Sequence, residues 1–331
     1  MPGYAAKALA ELQHPRPKKR QDSPHAHTPP KYGARKQYAS APDGSPLLEK
    51  DGKLYIQKAN GKLLYLGRAV DPTLLTTLSS IASQQANPTE ATMRKVTQLL
   101  DYVASQEEAI ITYSASDMVL AVHSDASYLS EPNARSRAGG HFFLSNDTLY
   151  PANNGAILTI AQIIKNVMSS AAEAELGALY IMAREAIYIR TILAELGHKQ
   201  PRTPIQTDNT TADAIVNNIV QPKQTKAMDM RFHWLRDREL QKQLRIYWRS
   251  GKLNYADYFT KHHPPAHHRN VRKEFITPQH VLQALIRERS MLNAEQAVEA
   301  ARQAIQIRQD SLKQQGYKMD NGGKYVYVQT L

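Results

Sequence analysis

The stretch MVLAVHSDASY, residues 118–128, runs continuously apolar and then turns abruptly polar. A short, apolar run of this kind fits a central strand, covered on both faces, that delivers a polar side chain at its end. Gly139-Gly140 precedes HFFLS, a second strand, and GAILTIAQ at 155–162 reads as a third. A long helix follows from about 170 to 196, with Leu176, Leu179, Ala183 and Ile187 at spacings of three and four, and Gly197 stops it. PIQTDN (204–209) is a short strand ending in an acid, and a helical stretch from Thr210 leads to the basic helix KAMDMRFHWLRDRELQKQ. RIYWRS is a last strand, and NYADYFTK opens a final helix. Three consecutive strands, a helix, then alternating strand and helix predict an α/β fold, a mixed sheet with helices packed on it.

The flanks differ in character. Residues 1–37 hold eight Lys/Arg, six prolines and only Glu11 and Asp22 as acids, which predicts an extended or disordered basic lead. From about residue 62 the pattern is helical. Asp71-Pro72 is an N-cap followed by proline and introduces TLLTTLSSIASQQ, and Asn87-Pro88 repeats the device before TEATMRKVTQLLDYVASQ. Beyond HHPPAHHR, Thr277-Pro278 starts one helix, Asn293 with Gln296 forms a capping box for a second, and DNGGKYVYVQTL reads as a hairpin with an NGG turn. Those helices carry apolar faces (Val281, Leu282, Leu285; Val298, Ala301, Ile305) that need something to pack on. The expected organisation is a basic Pro-rich lead at 1–50, a helical module at 51–114, the mixed-sheet domain at 115–262 and a helical C-terminal extension at 263–331.

No run approaches the eighteen or so apolar residues of a membrane span, and the amino terminus lacks the apolar core of a secretion signal. Cysteine is absent, so disulfides, thiol nucleophiles and thiolate zinc sites are excluded, and any metal must be held by carboxylates or histidines. A net charge of +12 points to a polyanionic partner, most commonly the phosphate backbone of nucleic acid.

Four acids stand out by position. Asp125 ends the first strand, Glu175 lies one turn into the long helix, Asp208 ends the next strand and Asp257 opens the last helix. Strand ends and helix starts converge at one edge of such a sheet, so the four can share a site. Unpaired, the cluster suffers like-charge repulsion, which hard divalent cations relieve. Mg2+ takes oxygen ligands, and two ions about 4 Å apart can clamp a phosphodiester for in-line attack by water.

HSDASY, SSAAEAELGAL, TDN and GKLNYAD resemble the four active-site motifs of the RNase H domain of long-terminal-repeat retrotransposon polyproteins, of the copia/Ty1 type. ARSRAGGHFFLS fits that group's second strand, TKAMDMRFHWLRDR its basic helix, and LLYLGRAVDPTLLTTLSSIASQQANPTEATMRKVTQLLDYVA the segment joining polymerase to RNase H. The resemblance covers roughly residues 1–270. It implies an RNase H-like fold, a five-stranded mixed sheet flanked by helices. It also implies Mg2+-dependent hydrolysis of the RNA strand of RNA–DNA hybrids during reverse transcription, with Mn2+ as a substitute, in a cytoplasmic retrotransposon particle or the nucleus. Asp125 would then bridge two metals, with Glu175 and Asp208 on one and Asp257 on the other.

Glu173 competes with Glu175. Ser170 and Glu173 form a capping box, which gives Glu173 a structural task. Two residues apart on a helix, the side chains point roughly 200° apart, so only one can face the site. Glu175 is followed by Leu-Gly-Ala, the form of the group's helix motif, and is the expected ligand. Asn209 is a candidate cap for the helix after Asp208.

The basic helix and its approach, with Lys223, Lys226, Arg231, Arg236 and Arg238, form a candidate nucleic-acid handle. The alternative is a solvated face on which Asp229, Asp237 and Glu239 pair with those bases. His262, His263, His267 and His268 lack the helical spacing of a His–His zinc motif and read as a polar linker. The segment RSGKLNYAD carries no histidine where RNase H sites often have one in a loop before the last acid. The chain has no YxDD motif and nothing before residue 62 able to build a polymerase palm, so no polymerase activity is expected. The alternative to an active nuclease is a weak or inactive hybrid-binding fragment that depends on the polymerase part of the same polyprotein.

Overall fold

A computed structural model describes residues 2–27, 43–217, 229–314, 317–319 and 325–327. The chain divides into two compact units, Met1–Thr277 and Pro278–Leu331.

The sheet of the first unit is built from β1 (Val119–Glu131), β2 (Arg135–Ser145), β3 (Ala156–Ile163), β4 (Thr203–Thr207) and β5 (Leu244–Trp248) in the order β3-β2-β1-β4-β5. β1, β2 and β3 form an antiparallel meander, while β4 and β5 run parallel to β1. Parallel neighbours need crossover connections, and helices supply them. The long helix, here Ala171–Glu195, leads from β3 to β4, and helices Thr210–Val216 and Asp229–Leu240 lie between β4 and β5. This is the expected five-stranded mixed sheet flanked by helices, an α/β RNase H-like fold.

β1 is central, as its apolar run predicts, with Leu120 and Val122 fully buried. It does not stop at its acid. Pairing with β2 continues from Asp125↔Gly139 through Ser127↔Arg137, and after an irregularity resumes at Glu131↔Arg135. Asp125 therefore sits inside a long strand rather than at its end, because β2 supplies backbone partners for the polar half as well.

Two apolar cores flank this sheet. One joins Leu120, Val122 and Phe142 to Leu179, Met182 and Ala183 of the long helix, with Ile205 and Ile246. The other unites the N-terminal helices through Ile56, Leu63, Leu78 and Leu99 and reaches Ala161, Phe259 and Phe275. The glycine pair makes both approaches close. A Cβ on Gly140 would lie 2.0 Å from Met182 Sδ, and one on Gly139 would lie 2.5 Å from the Ala256 carbonyl.

The N-terminal elements are α1 (Tyr4–Glu11), α2 (Lys50–Ala69), α3 (Leu75–Gln84) and α4 (Glu90–Ser105). α1 departs from the expected extended lead. Its Ala8 and the following Leu12 are buried, so apolar residues within the basic, proline-rich stretch find a core after all. Asp71 caps the turn before α3 as expected, its side chain accepting from Thr73 N. Asn87 does not cap α4. Thr89 does, exchanging hydrogen bonds with Thr92 in a reciprocal box built from two threonines.

The helices numbered onward in chain order are α5 (Ala171–Glu195), α6 (Thr210–Val216), α7 (Asp229–Leu240), α8 (Pro265–Arg272) and α9 (Gln279–Gln314). α8 replaces the expected linker. His263 and His268 are buried, and the His268 ring is hydrogen-bonded by the Tyr102 and Tyr258 hydroxyls. In the second unit α9 is one continuous helix. Asn293 and Gln296 lie within it, since no glycine or proline separates the two expected halves. Tyr317–Met319 and Tyr325–Tyr327 pair antiparallel, as the hairpin reading requires, and the turn between them lies outside the described residues. No helix among the described residues is long and apolar enough to cross a membrane.

Candidate metal centre

Three of the four expected acids meet. Asp125, Glu175 and Asp208 each offer a carboxylate oxygen, and these oxygens lie within 4.8 Å of one another. Each comes from a different element. Asp125 stands in β1, Glu175 in the first turns of α5, and Asp208 directly after β4, which is parallel to β1.

The choice of glutamate follows from the helix start. Ser170 Oγ accepts from Glu173 N at 3.1 Å, while the Glu173 carboxylate turns back to Ser169 N at 2.6 Å. The reciprocal arm of the cap thus reaches Ser169 rather than Ser170, and Glu173 is only half-buried. Glu175 is buried, and its Oε2 has no hydrogen-bond partner among the described residues.

Burial and mutual repulsion dominate the electrostatics. Burial first, then the charges of Asp125 and Asp208, push the Glu175 carboxyl up to about 9. Burial, then Asp257, pushes Asp125 up to about 7, against a hydrogen bond from the Thr260 hydroxyl. Asp208 is raised by the same two causes in the same order. Hard oxygen donors that are crowded and desolvated are the donor set that Mg2+ or Mn2+ fits.

Asp257 behaves differently. It lies in a 3-10 helix, Tyr255–Phe259, rather than an α-helix, and it is outside the three-carboxylate group. Its carboxylate pairs with Lys261. The segment that carries it is latched to β1 by Asn254, whose Nδ2 donates to Ser124 O at 2.9 Å while its Oδ1 accepts from Ala256 N. Thr260 Oγ1 sits 2.6 Å from Asp125 Oδ2 and 2.9 Å from the Asp257 carbonyl. Gly251 gives Asp208 room, since a Cβ there would lie 2.4 Å from Asp208 Oδ2.

Sequence reasoning missed Asn254, Thr260, Lys261 and Gly251. The only local signal was position, Gly251 and Asn254 inside GKLNYAD and Thr260 and Lys261 just after it, because what they do depends on segments meeting across the fold. Asn209 does cap α6, accepting from Ala212 N at 2.9 Å.

The candidate handle divides. Arg231 lies over the Tyr180 ring, Arg236 over Phe232, and Arg238 over Trp234 with Asp237 at 3.1 Å. Glu239 pairs with Arg202, outside the helix. Lys223 and Lys226 lie outside the described residues.

No family model matches the chain. Over 209 residues, 63% of its length, it is 26% identical to the retrovirus-related Pol polyprotein from transposon TNT 1-94 of Nicotiana tabacum. It spans 15% of that polyprotein. Among solved structures, LC11-RNase H1 in complex with an RNA/DNA hybrid aligns at 12% identity and a TM-score of 0.32, over 43% of this chain and 93% of that one. The N-terminal RNase H domain of a Mycobacterium tuberculosis protein aligns at 14% identity and 0.31, over 43% and 91%. RNase H1 from Halobacterium salinarum aligns at 14% and 0.28, over 43% and 94%. With its sheet order and its acid motifs, the chain is an RNase H-like α/β protein that resembles part of a retrotransposon Pol polyprotein.

Proposed function

We propose that this chain is a divalent-metal-dependent endoribonuclease that hydrolyses the RNA strand of RNA–DNA hybrids during retrotransposon reverse transcription. One observation carries the reading: three carboxylates from three separate elements converge within 4.8 Å. A fold does not retain such an arrangement for stability, because uncompensated buried charge is costly.

Asp125, Glu175 and Asp208 would hold the ions, with Asp257 as a ligand at the rim. Bound Mg2+ makes a water more acidic and offsets charge on the phosphate. The chain's own residues do the rest. β1 and α5 fix two carboxylates on rigid elements, and Thr260 orients Asp125. Arg231, Arg236 and Arg238, with Lys223 and Lys226, are proposed to grip hybrid phosphates, in keeping with the +12 net charge.

A labelled RNA–DNA hybrid incubated with Mg2+ or Mn2+ tests the reading. Cleavage by the wild type and none by Asp208→Asn is expected; equal cleavage by the two refutes the assignment.

A second reading is a hybrid-binding fragment that cuts weakly until its polymerase part is supplied. It is favoured by the position of Asp257, held by Lys261 and apart from the other three. Under it, cleavage rises when the polymerase part is added in trans.

A further inference from the structure

Asp257 is close enough to the cluster to be felt there. Its charge raises both Asp125 and Asp208. Yet its carboxylate turns to the Lys261 ammonium, four residues on. Lys261 directly follows Thr260, whose hydroxyl is anchored on Asp125 Oδ2 at 2.6 Å, so the lysine is rooted at the rim of the site. The acids that face the Lys261 charge are Asp257, then Asp125 and Asp208, and the same charge acts on Glu175. An ordinary surface pair four residues apart touches only its partner and contributes little. This one stands among four carboxylates.

We propose, resting on the reading of the cluster as a divalent-metal centre, that Lys261 is a built-in counter-cation that neutralises Asp257 in the metal-free protein and competes with the divalent ion for that carboxylate. An ammonium and a divalent cation repel each other, and both seek the same oxygens. The Lys261 side chain keeps 49% of its surface exposed and has a flexible four-carbon stem, so it can withdraw to solvent when the ion enters. Asp257 then joins Asp125, Glu175 and Asp208. The consequence is a centre that binds metal less tightly than its four acids alone would, and that recruits the fourth ligand only on loading.

The test is isothermal titration of the full metal-free chain with Mg2+ alone, with thermal melting to verify that each variant is folded. Lys261→Met should tighten the Mg2+ dissociation constant on the order of tenfold, the effect of removing one nearby positive charge. Lys261→Arg, which keeps the charge, should leave it close to the wild-type value. Adding Asp257→Asn to Lys261→Met should cancel the gain. Unchanged or weaker binding in Lys261→Met, while Asp208→Asn still abolishes binding, overturns this inference and leaves the metal centre standing. Unchanged binding in Asp208→Asn overturns the metal centre itself.

Discussion

The buried polar regions around His268 and around Glu175, both in the first unit, are built on opposite principles. Around His268 both ring nitrogens and the two tyrosine hydroxyls meet partners, and the orphan atom close by is Arg272 Nε, which has none among the described residues. A neutral ring with its proton on Nδ1 donates to the Tyr258 hydroxyl, whose own O–H donates to the Thr73 carbonyl, and accepts from the Tyr102 hydroxyl at 2.6 Å. Arg272 adds an ion pair to Asp71 at 3.1 Å. Around Glu175 like charges meet instead: three carboxylates face one another, and one buried oxygen goes without a partner among the described residues. Burial of a satisfied network ties elements together, whereas burial of like charges weakens the fold unless something arrives from outside. The first region joins α4 and α8 to the 3-10 segment, and the second is the site proposed above to hold a cation.

Substitutions should therefore act in opposite directions. Glu175→Gln should cut hybrid cleavage by about a thousandfold or more, since a metal-held charge contributes several kcal/mol to the transition state. The same change should raise the melting temperature of the metal-free protein at pH 8, because it removes a carboxyl that burial disfavours. A lower melting temperature would mean that the carboxylate is structurally satisfied. His268→Ala should do the opposite. It should destabilise the fold by about 3 kcal/mol, from a cavity and two stranded hydroxyls, as read by chemical denaturation.

The two regions also carry opposite pH signatures. Glu175 has its folded pKa pushed up to about 9, so the metal-free fold holds a proton that the unfolded chain releases above about 4.5. Its contribution is fully present below that value and is lost as pH rises toward 9. His268 is pushed down to about 3, by burial and then by Arg272, so the unfolded chain takes up a proton first as pH falls. That region should lose stability from about pH 6.5 down to 3. Melting curves across pH should show both limbs, with Glu175→Gln flattening the alkaline one. An alkaline limb unchanged by that variant would break the comparison.

The smallest effect is expected at Thr260. Thr260→Val removes the hydroxyl on Asp125, which should raise the Asp125 pKa further and slow cleavage about tenfold, the low end of the about 1.5–3 kcal/mol for a hydrogen bond to a charged group. The slowing should be greatest at low pH, and a uniform loss across pH would point to a packing role instead.

Much of this was legible in the chain. The apolar run before Asp125 announced a central strand, and the Ser170 cap separated a structural glutamate from Glu175. Local patterns carry such information because a strand or a helix start is decided by a few neighbouring residues. The rest is tertiary. Nothing near Gly251 in sequence reveals that Asp208 needs the space, and nothing near Thr260 reveals a strand residue 135 positions earlier. α1 was hidden because eight residues of helix inside a basic, proline-rich stretch are unremarkable until Leu12 finds a core. Asp257 is expected on a second ion that Asp125 shares, and position in the sequence does not show that Lys261 pairs with it.

The claim that the unpaired cluster is a cation site is tested most directly by crystals of the full chain soaked in Mn2+, measured for anomalous scattering. The account predicts a peak bonded to oxygens of Asp125, Glu175 and Asp208, absent in Asp208→Asn crystals. A map with no peak among those three carboxylates would contradict it.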